Sequence, residues 1–282
     1  MDVADRPLWR QALKIGGAFV ATASLFLGAA LFLDGSALRV LLGITPELDV
    51  PYIGTRQEMI DKMLDLAEVG PDDRVVDLGT GDGRILISAA KDRGATGLGV
   101  DLDPAMIAAA KANAVRAGVS DRVSFAQADL FETSLEGADV VTMYLLPSVN
   151  LRLRPRLLEQ LEPGSRIVSH AFDMGDWRPD ATDTIGSSRS YLWIVPADVD
   201  GQWQFQIDGD EFPVIFAQRF QDVEGTAQVG SETIMLQPEL EGDRLRFSLP
   251  IDGVTRNFEG IVHGDRIVPV GTTDWFARRS GE

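Results

Sequence analysis

No cysteine occurs among the 282 residues. That absence excludes a disulfide framework and a cysteine-ligated zinc site. Histidine is almost as scarce. Only His170 and His263 supply imidazole, far apart in sequence, so no metal site is expected. Positive charge is short as well: 26 lysines and arginines face 43 acids, a formal net charge of -17. Such a chain repels nucleic-acid phosphates unless it carries a local basic patch. The one concentrated basic run is Arg152-Leu153-Arg154-Pro155-Arg156. It reads either as a solvated helix face or as a segment near acidic lipid headgroups. Charge of either sign is missing from Ile15 to Leu33. A helix of that length rises roughly 28 Å, close to the hydrocarbon thickness of a bilayer. Its apolar residues surround it on every side, and no small-x-small cleavage site follows closely, so an uncleaved membrane anchor is expected.

What the chain does have is concentrated at Val75-Val76-Asp77-Leu78-Gly79-Thr80-Gly81-Asp82-Gly83-Arg84. An apolar strand ends in Asp77, a glycine turn follows, and a helix opens near Arg84. Glycine suits a turn that brings backbone close to a ligand, where a Cβ would collide and φ can be positive. The spacing Asp-x-Gly-x-Gly-x-Gly differs from the dinucleotide fingerprint Gly-x-Gly-x-x-Gly. It resembles the cofactor loop of class I S-adenosylmethionine methyltransferases.

The residues that follow extend the pattern. Gly97 to Asp101 is a second short strand ending in an acid, about twenty residues past the loop, where nucleotide-binding sheets place a ribose-binding carboxylate. Asp103 is a good N-cap and Pro104 a good first helical residue for an alanine-rich helix through Ala117. A third strand, Val123 to Ala128, leads into Asp129-Leu130. A fourth runs from Ala138 to Leu145, and a fifth ends at His170. Strand and helix alternate from residue 56 to about 170, which predicts a parallel sheet with helices on both faces and ligands at the carboxyl ends of the strands. Thr55-x-x-Glu58 reads as a capping box opening an amphipathic helix.

Two flanking elements narrow the resemblance: Pro51-Tyr52-Ile53-Gly54-Thr55-Arg56-Gln57-Glu58 before the core, and Phe172 to Asp180, with Trp177-Arg178-Pro179-Asp180, after it. Together with Gly81-Asp82-Gly83-Arg84 they resemble the membrane-anchored lysine methyltransferases that include the mitochondrial ATP-synthase c-subunit enzyme. The resemblance covers roughly residues 50–180. It implies a Rossmann-like class I methyltransferase sheet, with S-adenosylmethionine as cofactor. Asp77, Gly79, Gly81 and Gly83 would hold its amino-acid end, Asp101 its ribose and Asp129 its adenine, with Leu102 and Leu130 also at the cofactor. Acceptor-binding residues in such enzymes follow the fourth strand, where this chain has Tyr144, Pro147 and Asn150. Tyr144 reads equally well as core packing. His170 is read as a packed or hydrogen-bonded histidine in preference to a catalytic one.

After about residue 197 helical periodicity gives way to short strands between turns at Asp208-Gly209, Glu224-Gly225, Glu241-Gly242-Asp243, Asp252-Gly253 and Gly264-Asp265. About seven or eight antiparallel strands would form a small barrel or sandwich. The predicted organisation is a membrane anchor over 1–44, a methyltransferase domain over 45–197 and an all-β domain over 198–282. The leading functional expectation is N-methylation of protein lysine by an enzyme on the bacterial inner membrane, its catalytic domain cytoplasmic. Arginines before the apolar run favour the opposite orientation, but the cofactor is cytoplasmic. Two alternatives stay open: methylation of a bilayer-derived acceptor such as a quinone or isoprenoid, and a membrane scaffold whose β domain recruits a partner. The loop spacing disfavours an oxidoreductase.

Overall fold

The computed structural model describes residues 54–271 and 274–280. The run from Ile15 to Leu33, the division at 1–44 and the beginning of the Pro51–Glu58 element lie outside the described residues. The membrane assignment is corrected here. Among the described residues no helix is long and apolar enough to cross a membrane, and none of them supports the expected location at an inner membrane.

The first sheet has seven strands: β1 Arg74–Leu78, β2 Thr96–Asp101, β3 Val123–Gln127, β4 Val140–Met143, β5 Arg166–His170, β6 Ala181–Ile185 and β7 Ser188–Ile194. Their order is β3-β2-β1-β4-β5-β7-β6. The first five run parallel, while β7 pairs antiparallel with β5 and with β6. The sheet is thus mixed where an all-parallel one is expected. The alternation of strand and helix ends at β5, and the hairpin β6–β7 adds itself to that edge. Side chains alternate across each strand. Val75, Val140 and Val168 join one buried cluster, and Val76, Val141 and Ile167 join another on the opposite face.

Among the described residues four helices cover the faces: α1 Gln57–Leu66, α2 Arg84–Ser88 continued by a π turn over Ala89–Arg93, α3 Pro104–Ala117 and α4 Pro147–Gln160. Helix α3 opens as its sequence dictates. Asp103 accepts from the Ala105 N–H at 2.8 Å, and Pro104 takes the first position, where no donor is required. Helix α1 does not. Its N-cap is Arg56, with no side-chain cap, so the Thr55–Glu58 capping box is not formed. Thr55 is instead buried against a distant partner described below.

The C-terminal part is a single nine-stranded antiparallel sheet: β8 Gly201–Ile207, β9 Asp210–Arg219, β10 Asp222–Val229, β11 Glu232–Leu236, β12 Glu239–Glu241, β13 Arg244–Ile251, β14 Val254–His263, β15 Arg266–Pro269 and β16 Trp275–Arg279. Its order is β11-β10-β9-β8-β16-β15-β14-β13-β12. The sheet curls so that β10 approaches β12 and β11 approaches β13. Its two edge strands are not hydrogen-bonded to each other, so the curl is left open at that seam. Phe205 sits at the centre of its core, with the rings of Phe212, Phe216, Phe247, Phe258 and Trp275 between 5.5 and 6.3 Å away. Four of the expected turns fall between strands. Glu224-Gly225 does not: it lies inside β10, where Gly225 pairs with Phe216 on one side and Leu236 on the other. A Cβ on Gly225 would stand 3.0 Å from the Phe216 ring, so glycine serves close packing there and not a turn.

Candidate active site

The strand order reverses between β1 and β4, and in open α/β sheets ligands enter the crevice at the carboxyl ends beside such a reversal. Asp77 stands near the end of β1, and the glycine loop leaves from there. Gly79, Gly81 and Gly83 all have positive φ, at 75°, 55° and 80°, a region that side chains with a Cβ rarely adopt. At Gly83 a Cβ would also collide with the Phe125 ring and with Ala110 at 2.8–2.9 Å.

Asp77 is 1% exposed. Two hydroxyls donate to it, Thr80 Oγ1 to Oδ2 and Thr142 Oγ1 to Oδ1, both at 2.6 Å. Burial pushes its carboxyl up to about 6 from an ordinary 3.8. The hydroxyls oppose that rise, and the charges of Asp101 and Asp82 add to it. A desolvated carboxylate beside two further acids forms a site short of positive charge. S-adenosylmethionine carries an ammonium and a sulfonium, so the donor set fits it.

Asp101 ends β2. Its Oδ2 accepts the Gly81 N–H and its Oδ1 the Asp103 N–H, both at 2.9 Å. A carboxylate has about four acceptor sites, so it ties the glycine loop to the start of α3 and keeps capacity for ribose hydroxyls. Leu102, next to it, is partly buried, and its carbonyl accepts from Gln127 Nε2 at 3.1 Å. Asp129 follows β3 and accepts the Phe131 N–H at 2.8 Å, while Leu130 is buried. Because β3, β2 and β1 are neighbours, Asp129, Asp101 and Asp77 stand in one row. That is the order in which the sequence resemblance assigns them to adenine, ribose and amino-acid end.

On the other side of β1 the structure brings together residues that the sequence leaves scattered. Tyr144 follows β4 and lies 4.1 Å from the His170 ring and 6.3 Å from Phe172, measured between ring centroids. His170 ends β5, and its Nδ1 pairs with Thr55 Oγ1 at 3.1 Å, while its Nε2 is buried without a partner. Burial, and then the charge of Arg56, holds its pKa below 6.5. Ala171, next in the chain, has φ 68°, and the Phe172 N–H donates back to the His170 carbonyl at 2.9 Å. This tight, strained turn is of a kind that accumulates at functional sites. Arg84 joins the two halves. It is ion-paired with Asp82 of the glycine loop at 2.7 Å and donates to the Thr55 carbonyl at 3.0 Å.

Pro147 is exposed at the first position of α4. Asn150 is fully buried, and its amide donates to Ser169 Oγ and to the carbonyls of Phe172 and Asp173 at 3.2–3.3 Å. It therefore holds the loop after β5. The basic run on α4 also makes contacts within the protein, with Arg152 exposed and Arg154 and Arg156 partly buried. Arg152 lies over the Phe131 ring, Arg154 pairs with Asp176, and Arg156 donates to the Thr133 carbonyl. Thr80, Thr142 and Phe172 are site residues that the sequence reading missed. Thr80, three residues after Asp77 in a turn, carried a local signal. Thr142 did not, because its role follows from the register that sets it opposite Asp77.

The mixed seven-stranded sheet, the three left-handed glycines and the row of strand-end acids define a class I methyltransferase dependent on S-adenosylmethionine. The model of the family described as the ANTKMT methyltransferase domain matches residues 77–181. A protein-lysine N-methyltransferase of Saccharolobus islandicus is 44% identical over 131 residues, covering 46% of this chain and 81% of that protein. The adenine nucleotide translocase lysine N-methyltransferase of Mus musculus is 34% identical over 166 residues, covering 59% and 70%. A crystal structure described as an RNA methyltransferase from Salinibacter ruber in complex with S-adenosyl-L-homocysteine shares 47% identity and superposes with a TM-score of 0.51. It covers 56% of this chain and 99% of its own. The chain belongs to the ANTKMT-domain methyltransferase family, in agreement with the expectation drawn from its sequence.

Proposed function

We propose that the chain N-methylates lysine side chains of a protein. What carries this reading is its relatedness to two enzymes described as lysine N-methyltransferases, one of them matched over four-fifths of its length. The local chemistry supports it. When bound, S-adenosylmethionine supplies an activated methyl group and departs as S-adenosylhomocysteine. The amine that takes that methyl must come with a free electron pair, and lysine is ordinarily protonated. Tyr144, Phe172 and a neutral His170 make an uncharged wall, and such a wall disfavours ammonium by desolvation. Thr55 fixes the His170 ring, and Asn150 fixes the backbone on either side of Asp173. Orientation of this kind supplies most of the catalysis a methyl transfer needs, and no dedicated base is required. Asp77, Asp101 and Asp129, with the glycine loop, hold the cofactor. Pro147 lies beside the acceptor path at the head of α4. Residues 45–197 form the methyltransferase unit, and 198–282 an all-β unit.

A second reading, methylation of RNA, draws on the description of the Salinibacter relative. The net charge of -17 argues against it. Both are tested by incubating the protein with methyl-labelled S-adenosylmethionine and an extract of its own cells. Label in lysine after acid hydrolysis supports the proposal. Label confined to RNA or to the lipid fraction overturns it.

A further inference from the structure

The C-terminal sheet lies beyond the region matched by the family, which ends at residue 181. Its β9–β10 hairpin nevertheless packs into the segment that follows β5. The turn is two residues, Phe220 and Gln221, between the paired Arg219 and Asp222. Phe220 has φ 56°, a conformation that two-residue hairpins give to glycine at this position. Its ring stacks on Trp177 at 5.6 Å and 18°. Gln221 is buried, and all of its amide is used. Its Oε1 accepts the Trp177 Nε1–H at 3.0 Å. Its Nε2 donates to the Arg178 carbonyl at 2.6 Å and to Asp180 Oδ1 at 3.2 Å. Ion pairs flank the turn on both sides, Arg219 with Asp176 at 2.5 Å and Arg178 with Asp222 at 2.9 Å.

The segment so gripped continues back to Phe172, part of the wall beside Tyr144 and His170. Its other face is held by the catalytic unit. Arg154 donates to the Met174 carbonyl at 2.7 Å, and Trp193 Nε1 donates to the Trp177 carbonyl at 2.9 Å. Residues 172–180 are thus clamped between α4 and β7 on one side and the hairpin on the other. A buried side chain with one acceptor and two donors, all engaged with one loop, fixes the path of that loop. We propose that Gln221 is a positioning residue for the methyl acceptor: through Trp177, Arg178 and Asp180 it sets the path of residues 172–180 and thereby the place of Phe172. The C-terminal sheet then has a share in acceptor recognition. The proposal rests on the reading of the Tyr144–His170–Phe172 end as the acceptor side.

The test uses the full chain with Gln221→Met, which keeps the side chain's length and removes all three hydrogen bonds. Hydrogen–deuterium exchange should quicken in 172–180 and stay unchanged in 75–101. Affinity for S-adenosylhomocysteine should stay within about twofold. With poly-L-lysine as acceptor, KM should rise about tenfold or more while kcat changes little, since small misplacements far from the chemistry have effects of this size. Unchanged exchange in 172–180 overturns the proposal, and so does an unchanged KM in a variant that does exchange faster. A parallel loss of cofactor affinity overturns it too, because the effect is then global. Failure of the wild-type protein to methylate poly-L-lysine counts against the lysine acceptor alone. The exchange measurement needs no acceptor and still decides whether Gln221 sets the path of residues 172–180. If Gln221→Met does not fold, Trp177→Phe removes the indole N–H, together with part of the ring's volume, and is read the same way.

Discussion

Asp77, proposed above to hold the cofactor, is a carboxylate buried at the expense of stability. Its folded pKa of about 6 lies above its ordinary 3.8. For an acid shifted in this direction the penalty is absent below about 3.8, grows as pH rises through about 6 and is complete above it. A shift of this size corresponds to a cost on the order of 3 kcal/mol at neutral pH. Asp77→Asn should therefore make the ligand-free protein more stable than wild type in urea unfolding at about pH 8, with the gain shrinking toward about pH 4. The same variant should bind S-adenosylhomocysteine more weakly. Equal stability at both pH values would show that the buried carboxylate is compensated. Asp101→Ala should weaken S-adenosylhomocysteine binding by about one to two decades in calorimetry, since hydrogen bonds to charged groups are worth about 1.5–3 kcal/mol. The strand-end positions of both acids were legible because each closes an apolar strand in a fixed spacing. Thr55 was not. Its nearest chemistry in sequence is Glu58, whereas the partner it takes, His170, is 115 positions away, and no local spacing encodes that pairing.

Elements were read well where one period dominates. The alanine-rich α3, its Asp103 cap and its Pro104 start follow from local rules alone, as do β1, β2 and the glycine loop between them and α2. The antiparallel β7 was not legible, since direction within a sheet is set by long-range pairing with β5. The curled sheet was read as strands and turns, but Gly225 was misplaced because a glycine after an acid looks the same in a turn and in a crowded strand. The two cases differ in what a Cβ costs. Gly225→Ala would push against Phe216 and Leu236 and should cost about 1–3 kcal/mol, measured by urea unfolding. Gly253→Ala, in the β13–β14 turn, meets no atom within 4 Å, and its cost is confined to φ 77°. Phe205→Ala removes the ring at the centre of the core and should cost about 3–5 kcal/mol. A smaller loss would mean that the neighbouring rings collapse into the space.

At the scale of the whole molecule, a net charge of -17 sets the kind of partner that approaches fast. Such a surface attracts cationic chains, and electrostatic steering raises encounter rates by about tenfold or more at low salt. The kcat/KM for poly-L-lysine should therefore fall steeply between roughly 50 mM and roughly 500 mM salt, as screening shortens the reach of charge. Affinity for S-adenosylhomocysteine should change little. Equal kcat/KM at both salts would place recognition in short-range contacts alone. The curled sheet has a further consequence, in time. Its strands pair with their sequence neighbours through short hairpins, except at one ladder. There the sheet's first strand, β8, meets its last, β16, and Phe205 lies opposite Ala277. Hairpins close in microseconds, whereas a contact spanning nearly the whole segment waits on loop closure. The final knitting of β8 to β16 then governs how quickly the sheet matures. Until it happens, Trp203, Phe205 and Trp275 stand open to any neighbouring chain, so refolding yield should fall as protein concentration rises.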